Sequence, residues 1–476
     1  MPKRTKIVAT LGPATADPAV LSAMLEAGLD VVRLNLSHGD HAGHRRQLEL
    51  VRQAAASHHQ CLAVMLDLQG PKIRIERFRN GPVELKPGRP FVLDADLASD
   101  AGDERQVGIT YKGLPGDVCA GDMLLLDDGL IRLKVERVED RRIHTEIEIG
   151  GILGNAKGIN RLGGGLSVAA LTDKDREDIR FAAEVEADYL AVSFPRNAAD
   201  IEKARRLLRA AGGEGGIVAK IERREALDHL DEIMKASDAV MIARGDLAVE
   251  IGDAELAGVQ KDVLQRARNK DCVVITATQM MQSMVHSPQP TRAEVLDVAN
   301  AILDGTDAVM LSEETAAGEF PVTVVEAVAR IALGTESYQR FHRTREAPRD
   351  YHYIDEAIAK ASIDTANRLQ VKAIAAFTES GSTALWMSRI GTEVPIYAFT
   401  RYPSTQRKVN LYRGVYPRGF DITEADHATV NRTVVAQLEA DGIVQTGDLV
   451  LITKGDLAGV RGGTNTVKIV RVGEIS

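Results

Sequence analysis

Between Lys6 and Thr315 the chain repeats one pattern eight times: a short apolar run that ends in a charged or hydroxyl side chain. The runs are Lys6–Gly12, Val31–Ser37, Leu62–Leu68, Tyr189–Phe194, Ile217–Glu222, Val240–Asp246, Val273–Gln279 and Val309–Thr315. Seven of the eight are followed by a stretch of helical periodicity. Parallel strands that alternate with helices close most simply into a (β/α)8 barrel, whose active site lies at the C-terminal ends of the strands. Those ends carry Arg33, Asn35, Asp67, Lys220, Glu222, Asp246, Thr278 and Glu314, so one observation predicts both the fold and the place of the site.

The third run is followed by a change of text. From about Pro71 to Gly165 short alternating strands are separated by turn pairs and helical periodicity is missing, which reads as a small β-barrel lid inserted into the third βα loop. It leaves through Arg161–Ser167, where three consecutive glycines make a hinge. Helical pattern resumes at Leu171–Val185, with Thr172 or Asp173 as its cap. The barrel pattern fades near Thr335, Phe341–Tyr353 reads as a linker, and a third unit alternates strands and helices like an open α/β sheet. The expected division is 1–70 with 167–340 for the barrel, 71–166 for the lid and 350–476 for the C-terminal domain. No short internal repeat stands out.

A net charge of −9 argues against a nucleic-acid or membrane-surface protein, because phosphate backbones demand an excess of cations. It leaves room for a small anionic substrate held by a few local cations. No apolar run reaches bilayer length, the opening MPKRTKIV lacks a signal-peptide core, and Cys61, Cys119 and Cys272 are scattered without metal spacing. These features together predict a cytoplasmic protein.

Lys220 and Glu222 stand at i and i+2 of a strand and therefore share a face. Inside a barrel that pair is costly unless it serves a ligand at the mouth; the plain alternative is a structural ion pair. Arg244–Asp246 follows the sixth run. There Gly245 admits close backbone approach and its amides suit a substrate carboxylate, while Asp246 joins Glu222 as a hard oxygen ligand. Two carboxylates that leave room for water and substrate oxygens suit Mg2+, or Mn2+. Thr278 offers either a strand-end hydroxyl or a cap for the next helix, as does Thr276. Arg33, Asn35 and Ser37 alternate along the second strand, and Arg33 is suited to hold a phosphate. His38, His41 and His44 follow, the latter two reading as solvated helix residues. Lys72 and Arg74 flank the lid junction, and Lys174 stands just past its return. Several cations, three or four carboxylates and one hydroxyl at one mouth suit phosphoryl transfer, with a lid to exclude competing water.

At this point the residues resemble a family over the whole chain. The segments TKIVATLGPAT, VVRLNLSHG, LDLQGPKIR, LTDKD, VSFPRN, AKIE, ARGDLAVEI, ATQMMQSM, DAVMLSEETAAGEFP and LITKGDLAGVRGGTNTVKIVRVG are similar to those of the pyruvate kinases. The resemblance implies transfer of the phosphoryl group of phosphoenolpyruvate to ADP, giving ATP and pyruvate, by a homotetramer. It implies that Lys220 stabilises the moving group, that Glu222 and Asp246 bind the divalent metal, and that Thr278 takes part in enolate protonation and substrate binding. It further implies that Arg33 contacts the substrate phosphate, that Gly245 and Asp246 receive the substrate carboxylate, and that Asn35, His38, Arg74 and Lys174 lie on the nucleotide side. A lyase or mutase on a related barrel, or a catalytically silent regulator, would be the competing classes; the inserted lid and Lys174 argue against the first, and the intact catalytic set against the second.

Two departures from the family pattern matter. Where many members read TKGPEIR, with a glutamate that accompanies bound K+ near positions matching Asn35, Ser37, Asp67 and Leu68, this chain has Gln69 and Lys72. An ammonium there is expected to replace K+. In the C-terminal domain, Thr378, Ser380, Gly381, Ser382 and Thr383 offer hydroxyls and amides at a helix start, either as a phosphate cradle or as an ordinary cap. Members activated by fructose 1,6-bisphosphate often carry a lysine in this loop; here Glu379 adds negative charge, so the expected activator is a sugar or nucleotide monophosphate.

Overall fold

In a computed structural model the described residues are 2–338, 351, 353–422, 429–455 and 462–474. Eight parallel strands close into a barrel: Lys6–Thr10, Val31–Asn35, Ala63–Asp67, Tyr189–Val192, Gly216–Ile221, Ala239–Ala243, Val273–Ala277 and Ala308–Leu311, the last pairing back onto the first. All eight predicted runs are strands. Strand alternation sorts their side chains into two cores. Ile7, Val32, Leu34, Val64 and Leu66 pack outward against the helices, while Val8, Met65, Tyr189, Met241, Ile275 and Met310 fill the barrel interior. Each such side chain contributes about 1.5–3 kcal/mol of burial.

The inserted segment forms a six-stranded sheet and a two-stranded ribbon. Ile75, Phe91, Leu93, Leu124, Leu133 and Ile143 belong to its own core, distinct from the two in the barrel. The chain returns to the barrel through Gly163, Gly164 and Gly165, whose φ values of +88°, +76° and +90° lie where side-chain-bearing residues are strained. Thr172, not Asp173, caps the helix that follows, in a capping box with Asp175. The predicted linker Phe341–Tyr353 falls largely outside the described residues. Beyond it, helix Ile354–Leu369 leads into a five-stranded sheet, parallel except for its last strand, Thr464–Arg471.

The C-terminal domain covers the N-terminal face of the barrel. The residue before each even-numbered barrel strand is an aspartate: Asp30, Asp188, Asp238 and Asp307. Each carboxylate accepts an amide of the neighbouring odd strand, from Ile7, Val64, Ile217 and Val274 respectively, at 2.8–2.9 Å. Each also meets cations. Asp30 pairs with Lys3 and Lys6. The other three reach the C-terminal domain, Asp188 through Arg407 at 2.7 Å, Asp238 through Lys408 at 3.3 Å and Asp307 through Arg389. Lys6, wholly buried, donates to the Val415 carbonyl at 2.7 Å, and Asn410 donates to the carbonyls of Asp30 and Cys61. This floor leaves the opposite face, where the strand ends carry chemistry, open to the lid.

Candidate active site

Lys220 is the hub of the mouth. Its strand delivers it to the interior face, where Nζ lies 2.9 Å from Glu222 Oε1, 3.3 Å from Asp67 Oδ1 and 2.7 Å from Ser193 Oγ. Burial would pull the ammonium towards neutrality, but Asp67 and Glu222 outweigh it and hold the lysine above its ordinary range, hence charged. Asp67 is buried too; Lys220 and Arg33 outweigh that burial and keep it below the usual carboxylate range. Arg33 reaches Asp67 through Nε at 2.7 Å and Thr10 Oγ1 through its NH1 group at 2.9 Å. Ser193 in turn donates to the Leu68 carbonyl at 2.7 Å. Lys220, Glu222, Arg33 and Asp67 therefore form one continuous network, Arg33 and Asp67 on neighbouring strands and Lys220 reaching Asp67 past the intervening fourth strand.

Glu222, 1% exposed, accepts the Phe194 amide at 2.7 Å. Phe194 adopts φ +54°, a strained conformation that turns this amide inward. Burial raises the Glu222 carboxyl, Lys220 opposes the rise, and the charge of Asp246 adds to it. Two carboxylates that repel each other across a mouth, one of them desolvated, are a donor pair awaiting positive charge. No group of three or more His, Cys, Asp or Glu suited to a metal occurs among the described residues. The two carboxylates, Glu222 and Asp246, are hard oxygen donors of the kind that suit a divalent ion keeping water and substrate oxygens.

The seventh strand ends at Ala277, and Thr278 turns away with φ +69°. Its hydroxyl accepts the Gly245 amide at 2.8 Å and donates to the Ala277 carbonyl at 2.7 Å. It therefore caps the helix of the neighbouring turn, Arg244–Ile251, rather than the one that follows it in sequence. Arg244 fixes the turn, donating to the Thr278 carbonyl at 2.8 Å and pairing with Asp297. Thr276 is fully buried, donating to Thr306 Oγ1 at 2.9 Å, and is removed from the mouth. Glu314 also differs from expectation. It is fully buried, and its oxygens accept the amides of Met281 and Ser312 at 3.1 and 2.6 Å. It ties the seventh and eighth turns together.

Lys72 places Nζ 3.4 Å from Asp246 Oδ1, at the lid junction. Arg74 points into the inserted domain, donating to the Ala156 carbonyl at 2.8 Å. Lys174 donates to the Leu36 carbonyl at 2.7 Å and pairs with the buried Asp178 at 2.6 Å, which also holds His41 at 2.7 Å. Asn35 Oδ1 accepts the Ser37 amide at 3.1 Å, Ser37 lying past the strand rather than on it. His38 is exposed, and its carbonyl meets Nε2 of His44 at 2.8 Å. His44 is buried, unlike the solvated residue expected, whereas His41 stacks on Phe181 and keeps its side chain 44% exposed. Sequence reasoning missed Thr10, Ser193, Asp178 and Arg244. Of these only Asp178 carried a local signal, its i+4 spacing from Lys174.

The hydroxyl loop of the C-terminal domain lines a cleft of about 490 Å³, its open mouth included, bounded also by Arg401, Phe420 and Thr464. Thr378 Oγ1 accepts the Gly381 amide at 2.9 Å, Ser380 donates to Ser382 at 3.1 Å, and Thr383 meets Thr464 at 2.8 Å. Gly381 has φ +88°, and a Cβ there would sit 2.9 Å from Val409. Glu379 lies 3.5 Å from Arg401 Nε.

Comparisons with known proteins agree with this geometry. The family model for the pyruvate kinase barrel domain matches residues 2–325, and that for the pyruvate kinase alpha/beta domain matches residues 356–470. The chain is 50% identical to pyruvate kinase II of Salmonella typhimurium over 99% of both chains. It is 48% identical to a pyruvate kinase of Buchnera aphidicola subsp. Baizongia pistaciae, again over 99% of both. A pyruvate kinase of Haemophilus influenzae is 47% identical over 95% of this chain and 96% of its own.

Proposed function

The chain belongs to the pyruvate kinase family and is a phosphotransferase; we propose that it turns phosphoenolpyruvate and ADP into pyruvate and ATP without K+, under control of a phosphorylated effector. The observation that carries the reading is Lys220, held charged between Asp67 and Glu222 at a mouth that also carries Asp246, Arg33 and Thr278. A magnesium ion bound by Glu222 and Asp246 would supply positive charge to the substrate oxygens. Lys220 and Arg33 stabilise negative charge on the phosphoryl group as it leaves the enol oxygen for ADP. The Gly245 amide and Asp246 turn orient the substrate carboxylate once it replaces the Thr278 hydroxyl as the amide's partner. Thr278, thereby released, takes part in protonating the enolate. Asn35, His38, Arg74 and Lys174 bind the nucleotide side. The unit 71–166 acts as the lid over the catalytic barrel of 1–70 and 167–340.

The fixed ammonium of Lys72 beside Asp246 supports independence from K+. The C-terminal unit, 350–476, binds the effector through Thr378, Ser380, Gly381, Ser382 and Thr383. With Arg401 already facing Glu379, a ligand with one phosphate suits the cleft better than one with two. The assembly is a homotetramer in the cytoplasm; no helix among the described residues is long and apolar enough to cross a membrane. The test is pyruvate formation from phosphoenolpyruvate, ADP and Mg2+ in buffer free of monovalent metal ions, with and without added K+. Equal rates are expected. A rate that requires K+ would remove the Lys72 argument, and preferential activation by fructose 1,6-bisphosphate would remove the monophosphate argument.

A further inference from the structure

The exit of the inserted domain is gripped at successive residues by charged groups of the barrel. The Gly163 amide donates to the Glu250 carbonyl at 2.9 Å. The Gly165 amide donates to Glu225 Oε1 at 2.6 Å, and Arg223 donates to the Leu166 carbonyl at 2.7 Å. Asn160, just before the glycines, reaches Glu250 Oε1 at 3.4 Å. Arg223 is 3% exposed, an extreme burial for a guanidinium, and its partners are the Leu166 carbonyl and Glu225 Oε1 at 3.5 Å. Glycines at positive φ would swing freely without these contacts, because no side chain restricts them.

The origin of the three gripping residues is the informative part. Arg223 follows Glu222 directly, and Glu225 lies in the first turn of the helix that begins at Arg224. Glu250 stands one turn after Asp246 on helix Arg244–Ile251. The clamp and the two metal carboxylates are thus built on the same two strand-to-helix turns. A displacement of either turn moves a clamp residue and a carboxylate together.

We propose that Arg223, aided by Glu225 and Glu250, is a positioning residue that fixes the glycine exit of the lid to the turns carrying Glu222 and Asp246, so that lid position and metal carboxylates are set jointly. This rests on the reading of Glu222 and Asp246 as the metal ligands and of 71–166 as the lid. Arg223 spends its hydrogen bonds on the Leu166 carbonyl and Glu225, so it acts through other residues.

The test uses the full chain and the variants Arg223→Gln, Arg223→Lys and Glu225→Gln. Trypsin nicking after Arg161, read by mass spectrometry, reports opening of the exit. Arg223→Gln is expected to raise the nicking rate by about tenfold, the scale of one lost charge-assisted hydrogen bond, with Arg223→Lys in between. MgCl2 alone is expected to slow nicking of the native chain and to protect Arg223→Gln much less. In turnover, Arg223→Gln is expected to raise KM for ADP several-fold more than KM for phosphoenolpyruvate. Glu225→Gln provides the same readouts, with smaller changes, should Arg223→Gln fold poorly. Unchanged nicking, or equal protection of both chains by Mg2+, would overturn the proposal, as would a uniform loss that merely tracks a lower Tm. If the native chain formed no pyruvate at all, the functional reading would fail while the nicking experiment still decided the clamp.

Discussion

Both ends of the barrel are ringed with charge, but the two rings are wired differently. On the floor, each of the four aspartates holds a backbone amide of the next strand and at least one cation. Three of those cations belong to the C-terminal domain, so the ring closes a joint. At the mouth, Lys220 is shared by two carboxylates, Asp67 Oδ1 at 3.3 Å and Glu222 Oε1 at 2.9 Å, and Glu222 is held above its ordinary range by burial and by Asp246. Positive φ occurs near both faces, at Phe194, Thr278 and Gln279 by the mouth and at Glu186 and Asp271 just ahead of the fourth and seventh strands on the floor side. The floor carries its own cost, since burial raises Asp188 and Arg389 Nε lacks a hydrogen-bond partner, so what sets the mouth apart is one cation shared by two carboxylates on the face where the strand ends carry chemistry.

The sharpest way to break this comparison is to remove one charge from each ring. Lys220→Met should lower turnover by about a thousandfold or more, since it deletes a preorganised cation from the transition state. Its fold should survive, as Asp67 keeps Arg33. Asp307→Asn should do the reverse. It strands the buried Arg389, whose guanidinium burial already lowers to about 10, and should cost about 3 kcal/mol in chemical denaturation while kcat stays within a few-fold. If Asp307→Asn abolished turnover at unchanged stability, the floor would not be merely a joint.

The two threonines of the seventh strand repeat the contrast on a finer scale. Thr278→Val should reduce turnover by about a hundredfold, the range for loss of a proton-relay group, and Thr278→Ser should retain most activity. Thr276→Val, two residues earlier, removes only a buried hydroxyl pair with Thr306 and should cost about 1 kcal/mol with kcat unchanged. Equal kinetic effects at both positions would place Thr278 in the same structural class as Thr276.

The barrel was legible because its signal is a period. Eight apolar runs with polar ends leave few topologies, and the i, i+2 spacing of Lys220 and Glu222 predicted a shared face, on which the structure pairs the two at 2.9 Å as the plain alternative of an ion pair also allowed. Three adjacent glycines marked a special backbone, and all three adopt positive φ. What the sequence concealed were contacts between turns distant in the chain. Thr278 caps the helix at Arg244, Ser193 meets Lys220, and Glu314 ties two turns; no local spacing announces such pairs. His44 misled for a different reason, since a helix position that looks solvated folds back onto the His38 carbonyl. The floor did leave a trace. The strings LDVV, ADYL, SDAV and TDAV each place an aspartate before an even-numbered strand, a one-residue mark too short to register as a repeat.

A further effect, read as a pH slope rather than a rate, lies on the mouth side at Glu250. Its carboxyl is pushed up to about 7 by burial, eased by Arg223 and reinforced by the charge of Glu225. A carboxyl whose folded value lies above its unfolded one binds more protons in the native state across the interval between them. Stability from this group is therefore present at low pH and is lost as pH rises from the ordinary carboxylate range through about 7. Glu250→Gln keeps the hydrogen-bonding shape without the charge and should flatten that slope, by on the order of 1–2 kcal/mol between pH 5 and 8 once solvent screening is allowed for. Denaturation midpoints of both chains across that interval measure it. A native chain that grows more stable towards pH 8, with the variant following in parallel, would mean that Glu250 is already ionised in the fold.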